Sequence, residues 1–216
     1  MQVKSFIGGF DKNLCYLIWC KKTRLASIID PSVEPLEIFE FIESKNLILE
    51  KILITHTHHD HTSYLDDFIY KYPLINIYCH ANPINDLKKP FIALEHNQVV
   101  SIGNSLLTTL YTPGHFPDSV CYWSKEHKFI FTGDTVFIGR TGRTVSKGSN
   151  IKELYNSIYK IILNLPYETT IFSGHHYGFS RYESIRFNIK NSPFFQCNNF
   201  NEFIDVMQNF EKNRKK

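Results

Sequence analysis

The residues best suited to chemistry in this sequence are the histidines and the aspartate of one seven-residue stretch, Thr55-His56-Thr57-His58-His59-Asp60-His61. His56 and His58 are two positions apart, so in an extended backbone their imidazoles point to the same side and can bind one cation. Asp60 and His61 follow where the chain turns toward a helix, and we expect them to serve a second cation nearby. A lone histidine is usually a surface or core residue, but this cluster would be costly to desolvate without a metal.

Three later segments share one pattern, in which an apolar strand is followed by a glycine and then by a potential ligand. The patterns end at His115, Asp134 and His175, each directly after a glycine. Taken singly, these residues have ordinary interpretations as a turn histidine, a loop or cap residue and a surface histidine. Their recurrence at strand ends instead predicts that they join the histidine-rich stretch in one metal site.

The elements that must position these residues alternate between strands and helices, which predicts an α/β chain. The first half is expected to contain opening strands within 2–30, a helix at about 33–45, strand 51–54, a helix through Tyr70 capped by Thr62 or Ser63, and strand 75–79. The second half is expected to contain strands at 98–102, 105–112, 119–124 and 128–132, a glycine-rich loop to 149, a helix from Asn150 to Pro166, strand 169–173, and helices at about 181–190 and 200–212.

Size and composition suit one compact domain over residues 1–216, with 43% hydrophobic residues and no apolar run long enough for a membrane helix. The opening residues lack the apolar segment of a signal peptide, so we expect a cytoplasmic protein without a membrane partner. A net charge of +3 is too weak to indicate a nucleic-acid partner. The basic residues near the end are expected to form a solvated tail and are Lys212, Arg214, Lys215 and Lys216. The sequence does not predict an oligomeric state.

Together the motifs resemble the metallo-beta-lactamase fold, and within it the glyoxalase II branch, the hydroxyacylglutathione hydrolases. The matching residues are Thr55 to His61, Pro113-Gly114-His115, Gly133-Asp134-Thr135 and Gly174-His175. The resemblance covers nearly the whole chain and implies a four-layer αββα sandwich, an α/β (α+β) fold, with metals at one edge of the two sheets. It also implies that one metal is held by His56, His58 and His115, a second by Asp60, His61 and His175, and that Asp134 bridges them.

Two divalent metal ions in such a site, zinc with iron or manganese as alternatives, can share a hydroxide and polarise a carbonyl. A bound divalent cation lowers the pKa of water from about 15.7 to about 7, which supplies the nucleophile at neutral pH. Asp60 is the expected catalytic residue, because it would both ligate a metal and orient the hydroxide. We therefore expect a metal-dependent hydrolase of a small thioester, of the S-hydroxyacylglutathione type.

Two residues are candidates for substrate binding. In the glyoxalase II pattern a basic residue near Arg143 and a tyrosine at the place of Tyr177 contact the glutathione part of the thioester. The alternative for Arg143 is a structural arginine that fixes the glycine-rich loop, and for Tyr177 it is aromatic packing at the rim. Full-length glyoxalase II also carries a helical C-terminal domain, for which residues 176–216 are too few. We therefore expect a short form of the branch, in which glutathione specificity is open.

Persulfide dioxygenases are the leading alternative, because they share the fold and the same metal residues and are also short. In that family one iron is bound by the equivalents of His56, His115 and Asp134, a two-histidine, one-carboxylate face that suits O₂ chemistry. Antibiotic hydrolysis is disfavoured, since the best-known β-lactamases of this fold carry a cysteine ligand near the position of Asp134. A nuclease of this fold is disfavoured because no long basic insertion is present, and an inactive metal-binding scaffold because the ligand set is complete.

Overall fold

Two six-stranded sheets stack face to face in the computed structural model, which describes residues 1–214. Lys215 and Lys216 of the expected basic tail lie outside the described residues. The first sheet contains β1 (Gln2–Gly8), β2 (Asn13–Trp19), β3 (Leu25–Ile29), β4 (Ile48–Leu53), β5 (Asn76–His80) and β6 (Ile92–Leu94), in that order. The second contains β7 (Val99–Ile102), β8 (Ser105–Tyr111), β9 (Val120–Ser124), β10 (Phe129–Gly133), β11 (Thr170–Ser173) and β12 (Tyr182–Ser184), also in chain order.

Both sheets are mixed, and six of the seven potential ligands follow strands with a parallel neighbour, the exception being His115 after β8. In the first sheet β3, β4, β5 and β6 run parallel, while β1 and β2 are antiparallel additions. In the second sheet β10 and β11 run parallel and the remaining pairs are antiparallel. Because parallel neighbours end at the same edge, the segments that follow β4, β10 and β11 are placed at fixed positions along one side of the sandwich.

Helices cover the outer face of each sheet. Their bounds are α1 (Leu36–Ser44), α2 (Leu65–Lys71), α3 (Ile151–Asn156), α4 (Ile185–Asn191) and α5 (Phe200–Asn213). The chain continues from α3 through a π-helical turn over Ser157–Ile161. Within residues 1–214, no helix combines the length and the apolar character needed to cross a bilayer.

Three buried clusters establish the four layers. One cluster packs Ile38 of α1 and Phe68 of α2 on the outer face of the first sheet. A second packs Leu154 of α3 and Phe203 of α5 on the outer face of the second sheet. The third lies between the sheets and includes Tyr16, whose ring meets that of Phe131 at 5.1 Å between centroids, and Leu53, Leu107 and Tyr122. This arrangement confirms the expected αββα sandwich.

Two local predictions were wrong. Residues 182–184 form strand β12, paired with β11, instead of starting a helix at about 181. The helix α4 starts afterwards, because the Ser184 side chain accepts a hydrogen bond from Phe187 N and caps it. Thr62 and Ser63 do not cap α2, since both hydroxyls donate to the carbonyl of His59 in the preceding turn.

Candidate metal centre

All seven side chains predicted as metal ligands converge at one edge of the sandwich. Those of the histidine-rich stretch follow β4, while His115, Asp134 and His175 follow β8, β10 and β11. Backbone hydrogen bonds join the two sheets at this edge, because Leu14 N donates to Gly174 O at 2.8 Å and Val120 N donates to Thr55 O at 2.7 Å. The edge is therefore a fixed frame in which residues far apart in sequence become neighbours.

Three imidazoles form the first group of potential ligands. His56 Nε2 lies 2.9 Å from His58 Nδ1, and His58 Nδ1 lies 3.1 Å from His115 Nε2. Burial lowers the pKa of His56 well below its ordinary value and lowers the pKa of His58 to about 4, and neighbouring histidines add to both effects. The pKa of His115 is also lowered, chiefly by burial, against the raising effect of Asp134. These imidazoles are neutral at pH 7 and direct their lone pairs to a common point.

The second group combines carboxylates with imidazoles. His175 Nε2 lies 3.2 Å from Asp60 Oδ2, and His61 Nε2 lies 3.7 Å from the same oxygen. Asp134 lies between the groups, with one oxygen 3.3 Å from His61 Nε2 and the other 3.3 Å from His175 Nε2 and 3.6 Å from His115 Nε2. A carboxylate in this position can contact a cation in either group.

Protonation differs between the two groups. Burial lowers the pKa of His175, but the carboxylates of Asp134 and Asp60 more than offset this and raise it to about 9. Burial likewise opposes charge on His61, yet Asp134 and Asp30 raise its pKa well above the ordinary value. Burial raises the pKa of Asp60 and Asp134, but the adjacent imidazolium groups lower both below the ordinary value. Protons thus occupy the second group when no cation is bound.

The orientation of the rings fits a divalent cation. Each of four imidazoles uses its outward nitrogen in a hydrogen bond, and the partners are Thr55 Oγ1 for His56, Asp30 Oδ2 for His61, Arg143 O for His115 and Asp11 O for His175. Such bonds fix the tautomer that leaves the inward nitrogen free for a metal. Among residues 1–214, the inward His61 Nε2 and Asp134 Oδ1 are buried atoms without a hydrogen-bond partner. Nitrogen and oxygen donors of this kind suit zinc, iron or manganese.

At two of the three glycines that precede these ligands, the backbone passes too close to side chains of the site for a Cβ atom. At Gly174 a Cβ would collide with Asp134 Oδ1 and the His61 ring. At Gly133 it would collide with the Thr55 side chain, and the positive φ of +47° also favours glycine. The recurring glycine found in the sequence is therefore a requirement of close approach at the site.

Sequence reasoning missed two buried aspartates that hold the histidine-rich stretch. Asp30 accepts hydrogen bonds from Thr55 N at 2.7 Å and Thr55 Oγ1 at 2.6 Å, in addition to its contact with His61. Asp118 accepts hydrogen bonds from the backbone and hydroxyl of Thr57. The signal that could have revealed Asp30 is its position directly after β3, which is the neighbour of β4 in the sheet. The potential ligands also follow strands.

Asn13 is a third missed residue. It is fully buried at the start of β2, and its side chain donates to Asp60 Oδ2 at 2.9 Å. It also forms a β-bridge with His175 across the junction of the two sheets. Asn13 therefore orients the Asp60 carboxylate, whose side chain is 30% exposed and faces the cavity.

A cavity of about 700 Å³ opens above the seven residues and contains the two predicted substrate residues. Arg143 donates through Nε and Nη2 to both carboxylate oxygens of Glu211 in α5, at 2.7 and 2.6 Å. Tyr177 stacks on His175 with ring centroids 4.8 Å apart and donates its hydroxyl to Asp11 at 2.6 Å. Both residues thus lie at the site, and their roles toward a substrate remain predictions. Arg140 also lines the cavity and was not predicted.

Comparisons with known proteins agree with this geometry. The sequence profile described as Metallo-beta-lactamase superfamily matches residues 8–175. Hydroxyacylglutathione hydrolase of Francisella tularensis subsp. novicida is 36% identical over 163 residues, which are 74% of this chain and 62% of that protein. The chain thus spans less than two thirds of the length of that relative.

Two further proteins match along almost their entire length. The "Probable polyketide biosynthesis zinc-dependent hydrolase BaeB" of Bacillus velezensis is 30% identical over 217 residues, covering 99% of this chain and 94% of that protein. Among solved structures, ETHE1 from Myxococcus xanthus superposes with a TM-score of 0.87 at 26% identity, covering 100% of this chain and 93% of that one. The resemblance that the motifs suggested is therefore confirmed at the level of family and fold.

Proposed function

The chain belongs to the metallo-beta-lactamase superfamily, and from that premise we propose that it is a metal-dependent hydrolase of a small thioester, of the S-hydroxyacylglutathione type. One observation carries the proposal, namely that two ligand groups share Asp134 and lie beneath an open cavity. The hydrolase names of the relatives from Francisella and Bacillus support the reaction class.

The residues present fit two divalent cations, zinc with iron or manganese as alternatives. His56, His58 and His115 would hold one of them, and the second would be held by Asp60, His61 and His175, with Asp134 contacting both. Bound divalent cations acidify a water molecule and polarise a carbonyl oxygen, which are the two requirements of ester and thioester hydrolysis.

Asp60 would receive and orient the attacking water. Its carboxylate is partly exposed to the cavity, and its pKa is lowered below the ordinary value despite burial, by His175, His61 and Asn13. An ionised carboxylate accepts a hydrogen bond from water and so sets the direction of its lone pair. The Asn13 side chain prevents the carboxylate from rotating away from the cavity.

Tyr177 would contact the substrate at the cavity wall. Its hydroxyl is held by Asp11 and its ring contacts both His175 and Arg140, so an acyl or peptide group would meet a side chain of fixed orientation. Arg143 is a weaker candidate for a substrate carboxylate, because Glu211 already neutralises its charge. The contacts of Arg143 correspond to the structural alternative raised by the sequence.

The experiment is a thioesterase assay on protein reconstituted with zinc, iron or manganese. S-lactoylglutathione is the substrate, and loss of thioester absorbance and appearance of free thiol are followed together. We expect kcat/KM of about 10⁴ M⁻¹s⁻¹ or more with at least one metal, within the usual enzyme range. Metal-stripped protein is the control. If no metal raises thiol release above that control, the proposal is rejected for this substrate.

A persulfide dioxygenase is the second candidate, and one feature of the site favours it. His56, His115 and Asp134 present two imidazoles and one carboxylate from neighbouring positions, with the cavity on their open side. This donor set suits a single iron and O₂ chemistry. Oxygen consumption by the iron-loaded protein on glutathione persulfide, without thiol release from the thioester, would select this function over the first.

A further inference from the structure

Arg140 occupies the cavity wall in a fixed orientation. Its guanidinium carbon lies 3.9 Å from the centroid of the Tyr177 ring, and the rings of Phe137 and Phe210 are within about 5.5 Å. The backbone is held by a hydrogen bond from Phe137 N to Arg140 O at 2.8 Å. Stacking between a planar cation and an aromatic face restricts the guanidinium to one plane.

The side chain of Arg140 donates no hydrogen bond within residues 1–214. Within residues 1–214, the arginine ion pairs are Arg143 with Glu211 and Arg186 with Glu168, so Arg140 has no carboxylate partner. Its Nε atom is buried without a hydrogen-bond partner in the same part of the chain. Arg140 is partly buried, and a donor shielded from water is costly unless a ligand satisfies it.

We propose that Arg140 binds an anionic group, a carboxylate or a phosphate, in the part of the substrate remote from the scissile bond. The planar fork of a guanidinium matches the paired oxygens of either group and can form two parallel hydrogen bonds. The inference rests on the proposed function for the choice of thioester probes. It makes Arg140, and not the neutralised Arg143, the residue that determines specificity for charged substrates.

The other charges of the cavity direct the anion toward Arg140. The exposed Asp11 accepts a hydrogen bond from the Tyr177 hydroxyl, so an anion close to its carboxylate would be repelled. Glu211 carries the charge opposite to Arg143 and repels an anion there as well. Within residues 1–214, the arginines of the cavity wall other than Arg143 are Arg140 and the exposed Arg214, and of these two Arg140 is the one held in place by aromatic rings that stack on its guanidinium.

Two sources of the anion must be distinguished. Glutathione thioesters carry carboxylates, coenzyme A thioesters carry phosphates, and N-acetylcysteamine thioesters carry neither. With lactoyl as the common acyl group, the three probes present the same scissile bond. The ratio of kcat/KM for a charged probe to that for the neutral probe therefore measures recognition of the anion separately from hydrolysis.

The variants are Arg140→Met and Arg140→Lys in the metal-loaded protein. We expect Arg140→Met to lower the charged-to-neutral ratio at least tenfold for the glutathione or the coenzyme A thioester, mainly through KM. Arg140→Lys should give an intermediate ratio, because it keeps the charge but loses the fork. Arg186→Met is the matched control, since Arg186 pairs with Glu168 on the surface and is outside the cavity. A ratio within twofold of wild type for both charged probes in Arg140→Met would overturn the inference.

A binding arm keeps this test independent of hydrolysis. Calorimetry with S-methylglutathione and S-methyl coenzyme A measures affinity for wild type and Arg140→Met without any reaction. At least tenfold weaker binding of one probe to the variant supports the inference, even if wild type hydrolyses none of the thioesters and the proposed function fails. If wild type binds neither probe, or the variant binds both as tightly, Arg140 is not an anion site.

Discussion

The carboxylate of Asp30 and the imidazole of His61 form a fully buried pair, with Asp30 Oδ2 2.8 Å from His61 Nδ1. Asp30 directly follows β3 with a left-handed φ of 51°, and from there it also accepts hydrogen bonds from the backbone and hydroxyl of Thr55. These contacts turn His61 so that Nε2 faces Asp134. The geometry of the second ligand group thus depends on Asp30, although Asp30 contacts only the outward nitrogen of His61.

Replacing Asp30 with asparagine should weaken metal binding at the second group by tenfold to a hundredfold. The amide keeps the shape but no longer favours the tautomer of His61 that directs a basic Nε2 inward. The free energy of unfolding should fall by about 1–3 kcal/mol, because a buried hydrogen-bond network loses a charged acceptor. Competition with a coloured chelator measures the affinity, and urea denaturation measures the stability.

Asp118→Asn is the matched control for that variant. Asp118 is also buried and also holds the histidine-rich stretch, but it contacts Thr57 and Ile84 N instead of a potential ligand. We expect a similar loss of stability with a smaller loss of affinity at the second group. Equal losses of affinity in both variants would show that Asp30 acts only by holding the backbone.

Asp60→Asn separates the two candidate functions. Asp60 belongs to the second ligand group but not to the face formed by His56, His115 and Asp134. A two-metal thioesterase should lose at least a hundredfold in kcat/KM, because both a ligand and the group that orients water are changed. A dioxygenase with a single iron should retain most of its oxygen consumption.

The partly exposed position of Asp60 makes this a fair test, since its substitution leaves the core intact. Asp66→Asn serves as the control, because Asp66 is 83% exposed and pairs with Lys89 outside the cavity. Circular dichroism and the melting temperature confirm that both variants fold. Thioester hydrolysis within threefold of wild type in Asp60→Asn would remove Asp60 from the proposed mechanism.

The sequence predicted the convergence of the seven side chains because each follows a strand, and strand ends are set by short-range patterns. The glycines before Asp134 and His175 added a signal that has a steric cause in the structure. Asp30 escaped notice because an aspartate before a proline is also an ordinary way to end a strand. Arg140 and Asn13 escaped notice because their partners, Tyr177 and Asp60, are distant in sequence and only the fold brings them together.

The local errors have a similar origin. Residues 182–184 read as the first turn of a helix, yet β11 offers an unpaired edge, and pairing with that edge decides their conformation. The same applies to β6, whose three residues pair with β5 and carry no strand pattern of their own. Tertiary contacts override local propensity most easily in such short segments at sheet edges.

Metal binding should release protons, and the release should come from the second ligand group. The pKa of His175 is raised to about 9 and that of His61 lies well above its ordinary value, so both are protonated at pH 7 without metal. His58, with a pKa of about 4, is already neutral. A raised pKa means that protons compete with the metal below it, so affinity at the second group should rise as pH increases toward about 9.

Calorimetric titration in buffers of different ionisation enthalpy measures this proton release. At pH 7 we expect one to two protons per second equivalent of zinc and almost none for the first equivalent. At pH 6 the second equivalent should bind at least tenfold more weakly than at pH 8, while the first changes little. Equal proton release for both equivalents would contradict the division between neutral and protonated groups.

Glu211→Gln distinguishes the two interpretations of Arg143. The ion pair links the loop after Asp134 to α5, and the carbonyl of Arg143 accepts from His115 Nδ1 at 2.8 Å. If Arg143 is structural, the variant should loosen this loop, speed amide exchange over residues 142–149 and raise KM for S-lactoylglutathione. If Arg143 binds the substrate carboxylate, releasing it from Glu211 should instead lower KM several-fold.

The free energy of unfolding should change by less than about 1 kcal/mol either way, because the Arg143–Glu211 pair is partly exposed. Glu168→Gln breaks the exposed pair with Arg186 and controls for the lost charge. We expect the rise in KM, since both oxygens of Glu211 already occupy the donors that a substrate would need.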